Sequence, residues 1–244
     1  KKYKEALSIL ENIPNDHRFA PEARMLEGST HVILKSFKKA ESAYQQCKKS
    51  ANNISSQADH KKIKRYYNVL KNSCIIHQAR TTYQKGQFKN AEKIYEKIPK
   101  TSYRWPYILI ERAWGHYNLQ DYNRSLGILV TYKSPLLKSY FMPEAEVLRA
   151  LNYFRLCLWG DAEKVINHYY TYYNKKSEKL KSLLKKHKNS RSFFLRLATT
   201  PIAKNEEKNM FIRNLLTQIR KKVKFNIDLV AYKRLRKEIK HVQK

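Results

Sequence analysis

Ala6, Ala40, Ala91, Ser125 and Ala162 follow one another at intervals of 34, 51, 34 and 37 residues. Each stands three places after an aromatic residue, namely Tyr3, Phe37, Phe88, Tyr122 and Trp159, and Tyr44 and Tyr95 follow their own alanines by four. A small residue and a ring recurring at this spacing constrain the fold more than anything else in the chain. A unit of that length is one helix pair, which cannot bury its apolar face alone and must stack on neighbours. Proline repeats the period independently: Pro21, Pro106 and Pro143 each lie nineteen residues before the marker of their unit. Proline is tolerated in the first turn of a helix. The spacing therefore predicts a first helix opening at each proline and a second helix carrying the marker. Turns are predicted between them at Lys35-Ser36, Lys85-Gly86-Gln87, Gln120-Asp121 and Gly160-Asp161. Apolar residues three and four apart run through both helices. Small markers let two helices cross closely while the neighbouring ring fills the space beside them.

These residues resemble the tetratricopeptide repeat, whose pattern places a small residue eighth, an aromatic seventeenth, alanine twentieth and an aromatic twenty-fourth, often with proline near the end. Gly28, Ala79, Ala113 and Ala150 stand at the eighth place, and Pro14, Pro99 and Pro135 close units. The likeness covers roughly residues 1–170; Leu26 and Leu148 sit one place early, and Ser125 replaces the usual alanine. It implies an all-α fold, an α-α superhelix of antiparallel helix hairpins. The expected organisation is a solenoid over residues 1–177, with a partial unit at 1–14 and units at about 20–50, 58–101, 105–135 and 142–177, then a basic helical extension over 178–244 that caps it. Residues 1–14 read as the second helix of a unit, so a first helix, and with it any targeting segment, is expected upstream.

The 51-residue interval contains one period plus seventeen residues, placed between Lys48 and Lys71. Asn52 to Gln57 reads as a polar turn, and Ala58 to Gln84 as one long helix with Ile63, Tyr67, Leu70, Cys74, Ile75 and Ala79 inside, which is expected to brace a neighbour, with a docking spur as the alternative. After Ala162 the repeat gives way to a longer helix with Tyr169, Tyr170, Tyr172 and Tyr173 and a basic run from Lys175 to Lys188. Phe193, Phe194, Leu195 and Leu197 form an apolar cluster, and Thr200-Pro201 marks a break. Asn205 is expected to cap a helix with Met210, Phe211, Leu215, Leu216 and Ile219 on one face. A last helix uses Ile227, Leu229, Val230, Leu235 and Ile239.

With 42% apolar residues, five glycines and seven prolines, 244 residues suffice for a long continuous core. No run of eighteen apolar residues is present. Cys47, Cys74 and Cys157 lack metal-binding spacing and read as buried thiols acting as small hydrophobes, with one disulfide as the alternative in an oxidising compartment. The eight histidines form no HxxxH pair and none stands three or four residues from a cysteine, so no metal is expected. No phosphate-cradling glycine loop and no nucleophile elbow occurs. Glu144 with Glu146 and Glu206 with Glu207 read as helix-start charges. The expectation is a protein without enzymatic activity and without cofactors.

The formal charge of +31 is the other large fact, concentrated at Lys175–Arg191 and Arg220–Lys244. Such a field attracts acidic protein segments, phosphate backbones or anionic membranes alike; lysine enrichment from biased composition is the bland alternative. The resemblance adds a concave face built from first helices, which holds peptides. Its inward places carry Arg80 and Tyr83, Trp114 and Tyr117, and Phe154 with Arg155, with Ser29 and Val32 in the first unit. Rings supply contact area and guanidinium groups grip carboxylates. The chaperone-tail clamp of one subtype is not expected, because its places hold Met25, Ser29, His77, Tyr107 and Glu111. The leading expectation is thus a non-catalytic scaffold for an acidic protein or peptide. The alternative is nucleic-acid or anionic-lipid binding through Lys175, Lys176, Lys185, Lys186, Lys188, Arg220, Lys221 and Lys222. Phe19-Ala20-Pro21-Glu22-Ala23 and Phe141-Met142-Pro143-Glu144-Ala145 are similar to repeat proteins of bacterial envelope and motility machines. That likeness implies the envelope or periplasm, with the cytoplasm as the alternative.

Overall fold

Four turns share one backbone device, and it sets the frame for everything around them. Lys35, Gly86, Gln120 and Cys157 all adopt positive φ, between 56° and 75°, and each stands five residues before a marker: Ala40, Ala91, Ser125 and Ala162. Around each, an N–H reaches back five residues to close the preceding helix: Ser36 to His31, Gln87 to Thr82, Asp121 to His116 and Leu158 to Tyr153. This is the left-handed helix stop that satisfies the last carbonyls of a helix. The period seen in side chains is therefore a period in the backbone. One expected turn moves: Gly160-Asp161 lies inside a helix, and the chain turns instead over Leu156–Leu158.

The computed structural model describes residues 2–137, 140–200 and 210–242. The described residues are all-helical, with no strand among them. The helices are α1 (Lys2–Glu11), α2 (Ala20–Ile33), α3 (Phe37–Gln57), α4 (Lys61–Gln84), α5 (Phe88–Tyr95), α6 (Trp105–Asn118) and α7 (Tyr122–Val130), then α8 (Glu144–Arg155), α9 (Trp159–Lys186), α10 (Arg191–Thr199), α11 (Met210–Lys221) and α12 (Val223–Val242). Two short 3-10 turns, Thr131–Lys133 and Pro135–Leu137, follow α7. Pro21 and Pro106 open α2 and α6, and Pro143 caps α8. The chain divides into two compact units, Lys1–Val130 and Thr131–Lys244.

In the first unit each helix packs on the next in sequence, and α2 also meets α4. Ala40, Ala79 and Ala113 are wholly buried, as the helix crossings require. Gly28 shows why: a Cβ there would lie 2.6 to 2.8 Å from the Tyr44 ring. Ser125 replaces alanine at its crossing because its hydroxyl donates to the Ala113 carbonyl at 2.9 Å. Ile75, Ile76, Ala79, Ala91, Tyr95, Ile98 and Ile108 form one core across α4, α5, the turn after α5 and α6.

The extra residues lengthen both α3 and α4. Asn52 to Gln57 is helix, not turn: Ala51 is buried with Tyr67 and Leu70, Ile54 packs against them, and Ser55 donates to the Lys64 carbonyl, so tertiary partners override the polar sequence. Ile63, expected inside, is 48% exposed because it lies in the first turn of α4. A second correction concerns the cysteines. Cys47 and Cys74 are not thiols but a disulfide across α3 and α4, their Cα atoms 6.0 Å apart, and Cys157 is exposed at its turn rather than buried.

In the second unit α8 packs on α9, α10 on α11, and α11 on α12. Phe211 joins α11 to the ring cluster of Phe141 and Tyr173. The predicted Asn205 cap lies outside the described residues. Helix α12 leaves Ile227, Val230, Leu235 and Ile239 exposed. No helix among the described residues is long and apolar enough to cross a membrane.

Candidate functional site

In the first unit, helices α4 and α6 bring three of the predicted residues together. Arg80, Tyr83 and Trp114 line one cleft of about 310 Å³ with Gln84, Tyr95 and Glu111. The cleft is electrostatically occupied. Arg80 donates from Nε to Glu111 Oε2 at 2.9 Å and from Nη2 to Glu111 Oε1, and the Tyr95 hydroxyl donates to the same carboxylate at 2.6 Å. This two-pronged hydrogen bond raises the Arg80 pKa, and burial, then the Glu111 charge, raises that of Tyr95. Burial beside Arg80 lowers the His77 pKa from 6.5 to about 4. Its ring stacks on Tyr44, whose hydroxyl meets Ser29 at 3.2 Å. Tyr83 accepts from Asn118 at 2.7 Å and packs on Phe88, and Tyr117 sits edge-on to both Trp114 and Tyr122. Glu111 stands at one of the inward places expected from the sequence, but its pairing with Arg80, 31 residues away, joins α6 to α4 and leaves no local trace in the sequence.

The second unit holds Phe154 and Arg155 at the end of α8, both exposed. Phe154 borders a groove of about 330 Å³ between α8 and α9, with Val147, Ala150, Leu151, Val165, Ile166, Tyr169 and Tyr170 among its walls. Much of this apolar lining faces solvent: Phe154 is 55% exposed, Tyr170 58%, and Val147 and Ile166 over 40%. Trp159 extends it, edge-on to Phe154 at 4.7 Å. Sequence reasoning assigned Val147, Leu151 and Ile166 no role; their three- and four-residue spacing is ordinary core spacing.

From the groove an aromatic track runs along α9. Tyr170 touches Tyr169, Tyr169 touches Tyr173, and Tyr173 touches Tyr172. Lys176 then lies over the Tyr172 ring, 2.8 Å from its centre, with Phe211 beyond. Lys175, Lys176 and Lys179 flank this end, around a hollow that also includes His168 and Tyr172. Lys185, Lys186 and Lys188 are exposed near the end of α9.

The other predicted cations divide. Arg220 is half-buried and donates from Nη2 to the Leu197 and Thr200 carbonyls, closing α10; burial lowers its pKa. Lys221 ends α11, and Lys222 follows it, exposed. Elsewhere, Glu11, Glu27 and His31 bring their ligand atoms within 4.8 Å of one another. Arg112 holds Glu92 beside His116, whose ring stands 3.4 Å from both Glu92 and Asp121.

No protein-family model, curated protein or solved structure matches this chain.

Proposed function

We propose that this chain is a tetratricopeptide-like α-α superhelix that works as a non-catalytic scaffold, holding an acidic protein or peptide. The observation that carries the reading is the groove of α8 and α9, an exposed apolar trough continued by a tyrosine track into lysines. Contiguous exposed apolar surface next to concentrated charge marks an interaction surface. A trough between two helices suits an amphipathic helix that sets apolar residues at i, i+3 and i+4 into it. Its flanking carboxylates then meet Lys175, Lys176 and Lys179, against an overall charge of +31. The cleft of Arg80, Tyr83 and Trp114 is the weaker candidate, because a partner carboxylate there must displace Glu111 from a bidentate pair. The Cys47–Cys74 disulfide supports an oxidising compartment such as a periplasm.

The exposed lysines of α9 favour a second reading, a polyanion or anionic-membrane surface through Lys185, Lys186 and Lys188. Fluorescence anisotropy with a synthetic acidic amphipathic helix and, separately, an oligouridylate separates the two. The scaffold reading expects Phe154→Ala with Ile166→Asp to weaken the peptide by about tenfold or more, on the scale of a lost interface hot spot, and to leave oligouridylate binding unchanged. Reversing Lys185, Lys186 and Lys188 to glutamate is expected to do the opposite. Tighter binding of the oligouridylate, with a steep salt slope and no effect of the groove substitutions, would overturn the reading.

A further inference from the structure

We propose that Glu11, Glu27 and His31 bind one divalent cation of the zinc class, pinning the end of α1 to α2. Glu27 and His31 are four apart on α2, so their side chains lie on one face, one turn from each other. Glu11 closes the set from the last residue of α1.

The imidazole is what marks this as more than a chance meeting of carboxylates. The His31 side chain is 7% exposed, and its Nε2 faces Glu27 Oε1 at 3.9 Å, beyond hydrogen-bond length. A cation between these atoms would be held by the imidazole nitrogen and both carboxylates at once, whose ligand atoms already lie within 4.8 Å of one another.

Arg24 supports the arrangement rather than competing for it. Its guanidinium donates to Glu27 Oε2 at 2.6 Å, to Asn15 Oδ1 at 3.1 Å and to the Ile13 carbonyl at 2.7 Å. It therefore fixes one oxygen of Glu27 and leaves Oε1 turned to His31, as outer partners orient metal-binding carboxylates. Two carboxylates and one guanidinium leave the site net negative before the cation arrives. One nitrogen and two oxygens suit zinc, cobalt or nickel, whereas calcium and magnesium favour all-oxygen sets and copper(I) favours sulfur. Three protein ligands leave a fourth position for water. The structural need is plain: α1 buries no residue of its own.

The test uses the full chain carrying Cys157→Ser, which removes the exposed thiol as a rival ligand. After chelator treatment it is titrated with Co²⁺ by visible absorption and with Zn²⁺ by calorimetry. One saturable equivalent is expected, with the intense bands of a four- or five-coordinate cobalt site and a rise in Tm. Glu11→Gln, at an exposed position, is expected to keep the metal-free Tm and weaken the cation by about tenfold or more. His31→Gln should abolish the cobalt spectrum, and Glu11→Gln decides the matter if that variant does not fold. Absence of a one-equivalent site, or cobalt uptake by Glu11→Gln equal to that of the parent, overturns the proposal.

Discussion

At the scale of single residues, three of the four helix stops hold an unspent reserve of stability. Lys35, Gln120 and Cys157 sit in left-handed backbone that costs an L residue about 1–2 kcal/mol and glycine almost nothing. Lys35→Gly and Gln120→Gly, both exposed, are each expected to raise unfolding free energy by about 0.5–1 kcal/mol in urea titrations, whereas Gly86→Ala lowers it by about 1 kcal/mol. Only Gly86 signalled its conformation in the sequence. The others were legible as turns through the spacing, but lysine, glutamine and cysteine carry no preference for positive φ, and the true turn at Cys157 was hidden behind a more turn-like Gly160-Asp161. His77 gives a pH dependence whose sign is fixed. Its folded pKa is lowered to about 4 from 6.5, so the unfolded chain binds the proton more readily. Stability is then lost as pH falls from about 6.5 toward about 4. His77→Gln should flatten that limb of the Tm-against-pH curve; an unchanged slope would contradict the burial argument.

Helix pairs are the scale at which the sequence was most readable and at which its largest surprise lay. Markers and prolines located α2 through α9 because a close crossing tolerates nothing larger than a methyl or hydroxymethyl group. At Gly28 it tolerates less, so Gly28→Ala should cost about 1–3 kcal/mol by pushing the Tyr44 ring from its place, unless Tyr44→Leu accompanies it. The long interval was misread at Asn52 to Gln57, since polar residues there are held helical by contacts with α4 that no local pattern reveals. The same extension aligns Cys47 with Cys74, a pairing that spacing alone left open among three cysteines. Closing a loop of 27 residues restricts the unfolded chain by about 3–4 kcal/mol. Replacing both cysteines by serine should lower the unfolding free energy by that order, and reductant should reproduce the loss in the parent protein but not in the variant.

For the molecule as a whole, charge and groove divide the work of recognition. The net +31 is expected to govern how fast an acidic partner arrives, and the apolar walls how long it stays. Raising salt from about 50 to 200 mM should therefore slow association steeply while changing dissociation little, measured by stopped-flow with the acidic peptide. Composition made the charge obvious. It could not reveal that Arg80 and Arg220 are spent on internal partners, because a cation's availability depends on which carboxylate or carbonyl folding brings beside it. In the first unit, contacts run between helices adjacent or nearly adjacent along the chain, and the one covalent staple sits at α3 and α4. Injury to such an arrangement stays where it falls. Amides of α6 and α7 can trade their hydrogens for deuterium while those around the staple keep theirs, so this half of the protein should come apart in stages, from its unstapled end inward.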